Sequence, residues 1–250
     1  GCSSTAVSAV VIPATSAPNI CMVTTDSTST NNIIIWEKPI SNKVDSFIVY
    51  REVTSGTYAR IGGQKYGTLS QFVDTVRSVG PANGNPNIGT YRYKLQIKDS
   101  CGNLSPLSPY HNSIYFVNNS GTFTWNTYAV EGQTLTPVTQ FNLLRDDFNT
   151  GTWAVIGTVA GTQGILADPN YNTYIATGNW RVEALGFNCN PTARTTQAFN
   201  KSKSNVKNNF TVGINNHNLS VNFVIAPNPV RSELQINFTK LNTFYETNKW

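Results

Sequence analysis

Tyr91-Arg92-Tyr93-Lys94-Leu95-Gln96-Ile97 is the stretch that decides the fold class. Every odd-numbered residue in it is apolar and every even-numbered one polar. Successive side chains of a strand point to opposite faces, so this period of two sets Tyr91, Tyr93, Leu95 and Ile97 against a core and leaves the rest in water. A helix would scatter the same four residues around its circumference.

The rest of the chain speaks the same language. Charged residues make up only 12% of the 250, so few of the Lys-, Glu- and Ala-rich stretches that build long helices are present. Val, Ile, Thr and aromatic residues fall instead in short runs broken by Gly, Pro, Asn and Asp, the chemistry of strands and turns. An all-β fold follows. Apolar runs such as Ile33-Ile34-Ile35-Trp36 are far too short to span a bilayer as a helix.

A repeat of roughly 90 residues organises most of the sequence. The first copy carries Ile34-Ile35-Trp36, Phe47-Ile48-Val49-Tyr50-Arg51, Tyr58-Ala59-Arg60-Ile61-Gly62, Val73-Asp74-Thr75, Tyr91-Arg92-Tyr93 and Ser100-Cys101-Gly102-Asn103. The second carries, in the same order, Phe123-Thr124-Trp125, Phe141-Asn142-Leu143-Leu144-Arg145, Trp153-Ala154-Val155-Ile156-Gly157, Ala167-Asp168-Pro169, Trp180-Arg181-Val182 and Asn188-Cys189-Asn190-Pro191. Many short strands with turn signals between them, given twice, predict two β-sandwiches in tandem.

Catalytic constellations are not evident. The two histidines, His111 and His217, lack a nucleophile elbow nearby, and a hydrolase needs a nucleophile, a base and an orienting group, or two poised carboxylates. Asp146-Asp147 is the densest carboxylate pair, but neighbours on a strand point to opposite faces, and calcium needs more converging oxygens. Gly62-Gly63 and Gly157 read as strand-to-strand turns rather than a phosphate loop. The chain is therefore expected to be no enzyme and to need no cofactor. A net charge of +5 and a pI near 9 raise the question of an acidic partner. Much of that excess, Lys201, Lys203 and Lys207, sits in an Asn/Ser-rich stretch without the aromatic interleaving of a nucleic-acid groove, so no nucleic acid is expected.

The four cysteines, Cys2, Cys21, Cys101 and Cys189, are widely spaced and have no zinc-ligand pattern. No metal is expected; disulfides in an oxidising compartment are. No charged leader followed by an apolar segment opens the chain, and Gly1 is not expected to be a natural start.

With an early strand carrying Trp36 or Trp125, a middle strand ending in Tyr50-Arg51 or Leu144-Arg145, and a late Tyr-x-Tyr-x-Leu-x-Ile strand, residues 19–200 resemble fibronectin type III domains. The resemblance implies a fibronectin type III-like (Ig-like) sandwich at 19–117 and another at 118–200. It places Tyr91 at that family's tyrosine corner and Trp180 at the same place in the second copy. It also sets the start of the first strand and the loop between the last two strands at one pole, which implies a Cys21–Cys101 disulfide. Closing a loop of roughly 80 residues would stabilise by about 4–5 kcal/mol in the chain-entropy view.

The ends resemble other modules. Residues 1–13 are similar to the last strands of a PKD/Ig-like repeat, with 14–18 as a linker, so a partial sandwich is expected at each end. After a linker at 201–218, the apolar run 219–226, Pro227-Asn228-Pro229 and the alternating Leu234-Gln235-Ile236 resemble the first part of a type A sorting domain, at 219–250. In Bacteroidota such domains address proteins to the type IX secretion machinery. Asp26-Ser27-Thr28 and Asp74-Thr75-Val76 match the short pattern that these bacteria O-glycosylate on exported proteins, which implicates Ser27 and Thr75. Together these resemblances imply a secreted or cell-surface protein. Its sandwiches would act as spacers or as modules binding surface proteins, glycans or further copies, with the short Asn118-Asn119-Ser120-Gly121 connection limiting their bending. Two alternatives stand beside this: accessory domains of an exported glycosidase or protease, and a carbohydrate-binding module using Tyr66, Tyr171 and Tyr174.

Overall fold

A computed structural model describes residues 16, 18–39, 43–191 and 199–209, and the strands at 223–226 and 235–238. The chain divides into two units, residues 1–209 and 210–250.

The first sandwich is built from β1 (Ile20–Thr25), β2 (Asn32–Trp36), β3 (Val44–Thr54), β4 (Thr57–Lys65), β5 (Gln71–Asp74), β6 (Arg92–Asp99) and β7 (His111–Asn112). One sheet has the order β1-β2-β5, the other β4-β3-β6-β7, and every pairing is antiparallel. The second sandwich repeats this with β8 (Phe116–Asn119), β9 (Thr122–Trp125), β10 (Gln140–Asp146), β11 (Ala154–Ala160), β12 (Ile165–Ala167), a one-turn helix α1 (Tyr171–Tyr174), β13 (Asn179–Cys189), β14 (Phe199–Lys203) and β15 (Lys207–Asn208). Its sheets run β12-β9-β8 and β11-β10-β13-β14, with β15 also pairing β13. This is the fibronectin type III arrangement twice over, and the all-β expectation holds.

Strand β6 behaves as its alternating pattern demands. Tyr93, Leu95 and Ile97 on β6 are buried while Arg92, Lys94 and Gln96 are partly open. They meet Trp36, Phe47 and Val49 in the core of the first sandwich. Trp125, Phe123, Phe141, Trp180 and Val182 fill the second.

Two boundaries differ from those expected. Phe116 and Val117 belong to the second sandwich, because β8 pairs with β9 through a hairpin. Asn118-Asn119-Ser120-Gly121 is thus a turn within that sandwich rather than the connection between the two. Ser120 and Gly121 have φ of 53° and 90°, and a Cβ on Gly121 would stand 2.7 Å from the Tyr171 ring, so glycine is required there.

Likewise the first part of the 201–218 linker is structured. Lys201 to Asn208 forms β14 and β15 against β13. Ser204 explains how so polar a stretch closes a sheet: its N–H donates to Val182 O (3.0 Å) and its hydroxyl accepts from Val182 N–H (3.0 Å). Ser108 does the same to Leu95 in the first sandwich, at 2.8 and 2.9 Å. Pro106 and Pro109, which lack an N–H, flank Ser108, so this edge pairs through serine hydroxyls as well as amides.

In the second unit, β16 (Phe223–Ala226) and β17 (Gln235–Phe238) pair antiparallel. Pro227, Asn228 and Pro229 lie outside the described residues, as do 1–13 and Cys2. No helix among the described residues is long and apolar enough to cross a membrane.

Candidate functional site

The groups that could carry chemistry are committed to structure. Asp146 accepts hydrogen bonds from Thr150 N (3.0 Å), Thr150 Oγ1 (3.3 Å) and Gly151 N (2.7 Å) and so shapes a turn, while Asp147 pairs with Arg145 Nε at 2.5 Å. The two carboxylates face different partners, Asp146 ending β10 and Asp147 opening the turn after it. Among the described residues no three His, Cys, Asp or Glu side chains converge as a metal site. His217 lies outside the described residues.

The two sandwiches hold a buried ion pair at the same place. In the first, the Arg51 guanidinium meets Asp74 Oδ2 at 2.5 Å with both side chains fully buried. It also donates to the carbonyls of Val76 and Val79. Tyr93 Oη donates to the same carboxylate at 2.9 Å, and burial, reinforced by Asp74, holds that phenol well above its usual range. In the second, Arg145 Nη1 reaches both Asp168 oxygens at 3.1 and 2.9 Å, and Trp180 Nε1 donates to Oδ2 at 2.9 Å. Such a pair is tolerable in a core only because each charge is matched and hydrogen-bonded.

This geometry corrects one equivalence. Trp180 stands across from Arg145 as Tyr93 stands across from Arg51, so its counterpart is Tyr93 and not Tyr91. Tyr91 does form a tyrosine corner, its Oη donating to Asn85 O six residues upstream (3.1 Å). The second sandwich fastens that bend with α1 instead: Tyr171 packs on Trp180 with ring centroids 5.1 Å apart, and Gly178 N–H donates to Tyr174 O (2.7 Å).

The feature that sets this molecule apart from two beads on a string is the seam between its sandwiches. Within the β1-β2-β5 sheet, β1 and β2 are buried on both faces. Ile20, Val23, Ile34 and Trp36 face the first core, whereas Met22 and Ile35 enter the second, beside Ile114, Phe116 and Tyr128. A bulge between Ile20 and Met22 makes this possible: Cys21 is the extra residue, and after it the strand presents its faces in the opposite sense.

Cys21 thereby reaches the second sandwich, where it is bonded to Cys189 with Cα atoms 5.8 Å apart. The expected Cys21–Cys101 bridge is not formed. Cys101 is disulfide-bonded as well, but not to Cys21. The expectation failed because it assumed each sandwich closes on itself. Side-by-side packing instead brings β13 of the second to β1 of the first.

The seam also caps the open edge of β1. Val23 N–H donates to Tyr128 Oη (2.8 Å), and Val23 O accepts from Ser202 Oγ (2.6 Å). Lys203 N–H donates to Thr24 Oγ1 (2.8 Å), and Thr25 Oγ1 to Ser204 O (2.9 Å). An unpaired strand edge is a hazard for misassociation; here side chains of the second sandwich satisfy it. His111, at the edge strand β7 but buried, completes the array with Nδ1 3.0 Å from Tyr128 Oη. Burial lowers its pKa from 6.5 to about 4, so the ring is neutral and Tyr128, which accepts from Val23, donates to it.

Ser27 and Thr75 are both exposed. Ser27 sits in a turn ordered by Asp26, which accepts from Thr30 N, Asn31 N and Asn31 Nδ2. Beside Thr75, the Asp74 carboxylate is buried in the ion pair. The three tyrosines considered for sugar stacking do not form an exposed row. Tyr171 is buried, Tyr66 stacks on Phe47 and donates to Pro39 O, and the Tyr174 ring is covered by the Arg145 guanidinium, whose Cζ lies 3.8 Å from the ring centroid.

No family model matches the chain, and no curated protein matches it. Solved structures similar to it include a β-1,2-glucanase from Parabacteroides distasonis (16% identity, TM-score 0.33, covering 43% of this chain). Others are the chicken CNTN1 FN1–FN3 domains (14%, 0.30, 76% of this chain and 68% of that one) and the central fibronectin-III array of RIM-binding protein (12%, 0.28, 85% and 68%). The chain spans only 14% of the glucanase's length.

Proposed function

We propose that this chain is a non-catalytic structural or interaction region of a secreted or cell-surface protein, in which two fibronectin type III-like sandwiches act as one rigid block. The observation that carries the reading is the seam: a shared core, a capped strand edge and a disulfide from Cys21 to Cys189. A flexible pair would need none of these, since interfaces between freely moving domains are smaller and more polar. The disulfide also supports an oxidising compartment. Small-angle scattering of the full chain tests the reading: one fixed arrangement of residues 16–209 should fit the data, and a broad spread of angles between the sandwiches would overturn it.

The route out of the cell belongs to the same proposal. The strands on either side of Pro227-Asn228-Pro229 pair as a hairpin, which supports reading 219–250 as the beginning of a type A sorting domain that meets the type IX machinery. Deleting 219–250 in a host with that machinery should leave the protein in the periplasm. Undiminished export would remove this part. Ser27 and Thr75 remain proposed O-glycosylation sites, and the intact mass of native material reads them directly.

A further inference from the structure

With Phe47 and Val49 of β3 in the core, Ser46, Ile48 and Tyr50 fall on the outer face of the first sandwich. Lys65 of β4 and Lys98 of β6 pair with Ser46 from either side, Gly63 pairs with Ile48, and Arg60 with Tyr50. Partners across a sheet share a face, so Arg60, Lys65 and Lys98 stand together there, all exposed. Gly63 adds no side chain between them (a Cβ would stand 2.8 Å from Phe47 O). A hollow of about 230 Å³ opens over Ile48.

Among the described residues no carboxylate lines this hollow. Farther along the same face the cations are answered, Arg92 by Glu52 at 3.3 Å and Lys94 by Glu131 at 2.6 Å. Arg60, Lys65 and Lys98 have no such partner among the described residues. Asp45, beside Ser46 in the chain, accepts from that hydroxyl at 3.0 Å. The second sandwich builds the same sheet without these charges. Phe47 and Arg51 correspond to Phe141 and Arg145, so Ser46 answers to Gln140 and Tyr50 to Leu144. Gln140 pairs with Ala160 and Leu185, and Leu144 with Val155. The fold therefore does not require the three cations, whose mutual repulsion works against it.

We infer that this outer face of the first sandwich binds an acidic polysaccharide, a sugar polymer carrying sulfate or carboxylate groups. The inference deepens the interaction-region reading proposed above. Unmatched cations fix the sign of the ligand. Their exposure makes it a polymer, because one exposed ion pair is too weak to retain a single anion, whereas a chain that meets several is held by all of them. Lys65 and Lys98 are two strand spacings apart, about 10 Å between Cα atoms, so the charges form a track rather than a ring around one point. Place then favours sugar over other polyanions. Single-stranded nucleic acid needs open rings on which its bases stack, and the one aromatic lining the hollow, Phe47, is fully buried. An acidic peptide gains most by pairing its backbone along an open edge, but these cations lie across three strands on a face.

Isothermal titration of the full chain with dextran sulfate, polygalacturonate, neutral dextran, polyglutamate and a single-stranded oligonucleotide tests this. At least one acidic polysaccharide should bind, more tightly than polyglutamate or the oligonucleotide, and neutral dextran should not. Which of the two binds tells sulfate from carboxylate. About 0.5 M salt should abolish the binding. Lys98→Gln should weaken it about threefold, and the triple variant Arg60→Gln, Lys65→Gln, Lys98→Gln at least tenfold, with unchanged near-UV spectra. Lys201→Gln also removes one charge, but one already paired with Glu183 on the second sandwich, and should leave the affinity nearly as it was. No binding of either acidic polysaccharide, undiminished binding by the triple variant, equal loss in Lys98→Gln and Lys201→Gln, or tighter binding of polyglutamate or the oligonucleotide would each overturn the inference. None of these outcomes bears on the rigid block, which scattering judges separately.

Discussion

Cys21 of the first sandwich is bonded to Cys189 of the second across 168 residues of sequence. A crosslink over so long a loop removes about 5 kcal/mol worth of chain entropy from the unfolded state. The Cys21→Ser, Cys189→Ser double variant should therefore lose several kcal/mol in urea unfolding, with strain and residual structure reducing the figure from that ceiling. Peptide mapping without reduction checks the pairing itself: one fragment should join the peptides holding Cys21 and Cys189, and a Cys21–Cys101 fragment would refute it.

Met22 and Ile35 make the second prediction. Both are wholly buried in the core of a sandwich to which they do not belong by sequence. Truncating either to alanine should cost about 2–5 kcal/mol. More telling, the loss should be felt by both sandwiches together, as one cooperative transition at a lower midpoint. Residues 113–209 expressed alone should lack a fixed near-UV signal, because their core opens where Met22 and Ile35 belong. A well-packed isolated second sandwich would show that the seam is optional.

How much of this could be read from the sequence differs between the sandwiches and the seam. Period-two alternation at 91–97 placed β6 correctly, and the matched pairs Arg51/Arg145 and Asp74/Asp168 lay in blocks already aligned as a repeat. The seam was missed, yet it left a trace. Where β9 alternates as Thr122-Phe123-Thr124-Trp125, β2 runs Ile33-Ile34-Ile35 without a polar break, and an unbroken apolar run marks a strand buried on both faces. Ser108 and Ser204 were a second trace, hidden because serine in a polar stretch resembles a linker until its hydroxyl is seen bonding Leu95 or Val182. The Cys21–Cys189 pairing had no local signal at all. It depends on how two sandwiches pack, which no spacing within one of them encodes.

His111 predicts a dependence on pH. Its folded pKa is lowered to about 4 from 6.5 by burial alone, so the unfolded chain binds the proton first. Stability from the neutral ring is fully present above pH 6.5 and is lost as pH falls toward 4, up to about 3 kcal/mol. The loss should strike the seam, since a protonated Nδ1 can no longer accept from Tyr128, which holds Val23. Urea unfolding of wild type and His111→Asn at pH 7 and 4.5 isolates the effect from carboxylates that titrate nearby. The variant should be less sensitive to pH across that interval, and an equal slope in both would remove His111 as the cause.

The buried ion pairs give the last prediction, and its force lies in the contrast between partners. Asp168→Ala would remove the buried counter-charge of the Arg145 guanidinium and leave it only the more exposed Asp147, and should cost about 3 kcal/mol, the low end for breaking a buried pair. Trp180→Phe keeps most of the ring packing against Phe123 and Tyr171 but removes the Nε1 donor to Asp168. Its cost should combine a lost hydrogen bond to a charged group, about 1.5–3 kcal/mol, with some packing loss. Tyr93→Phe deletes only the Oη donor to Asp74, leaving Arg51 in place, and also leaves Asn32 Nδ2 without its acceptor. Chemical denaturation of the three variants should rank Asp168→Ala as the most damaging. If Tyr93→Phe were instead the worst, the aromatic donors rather than the arginines would be the principal partners of these carboxylates.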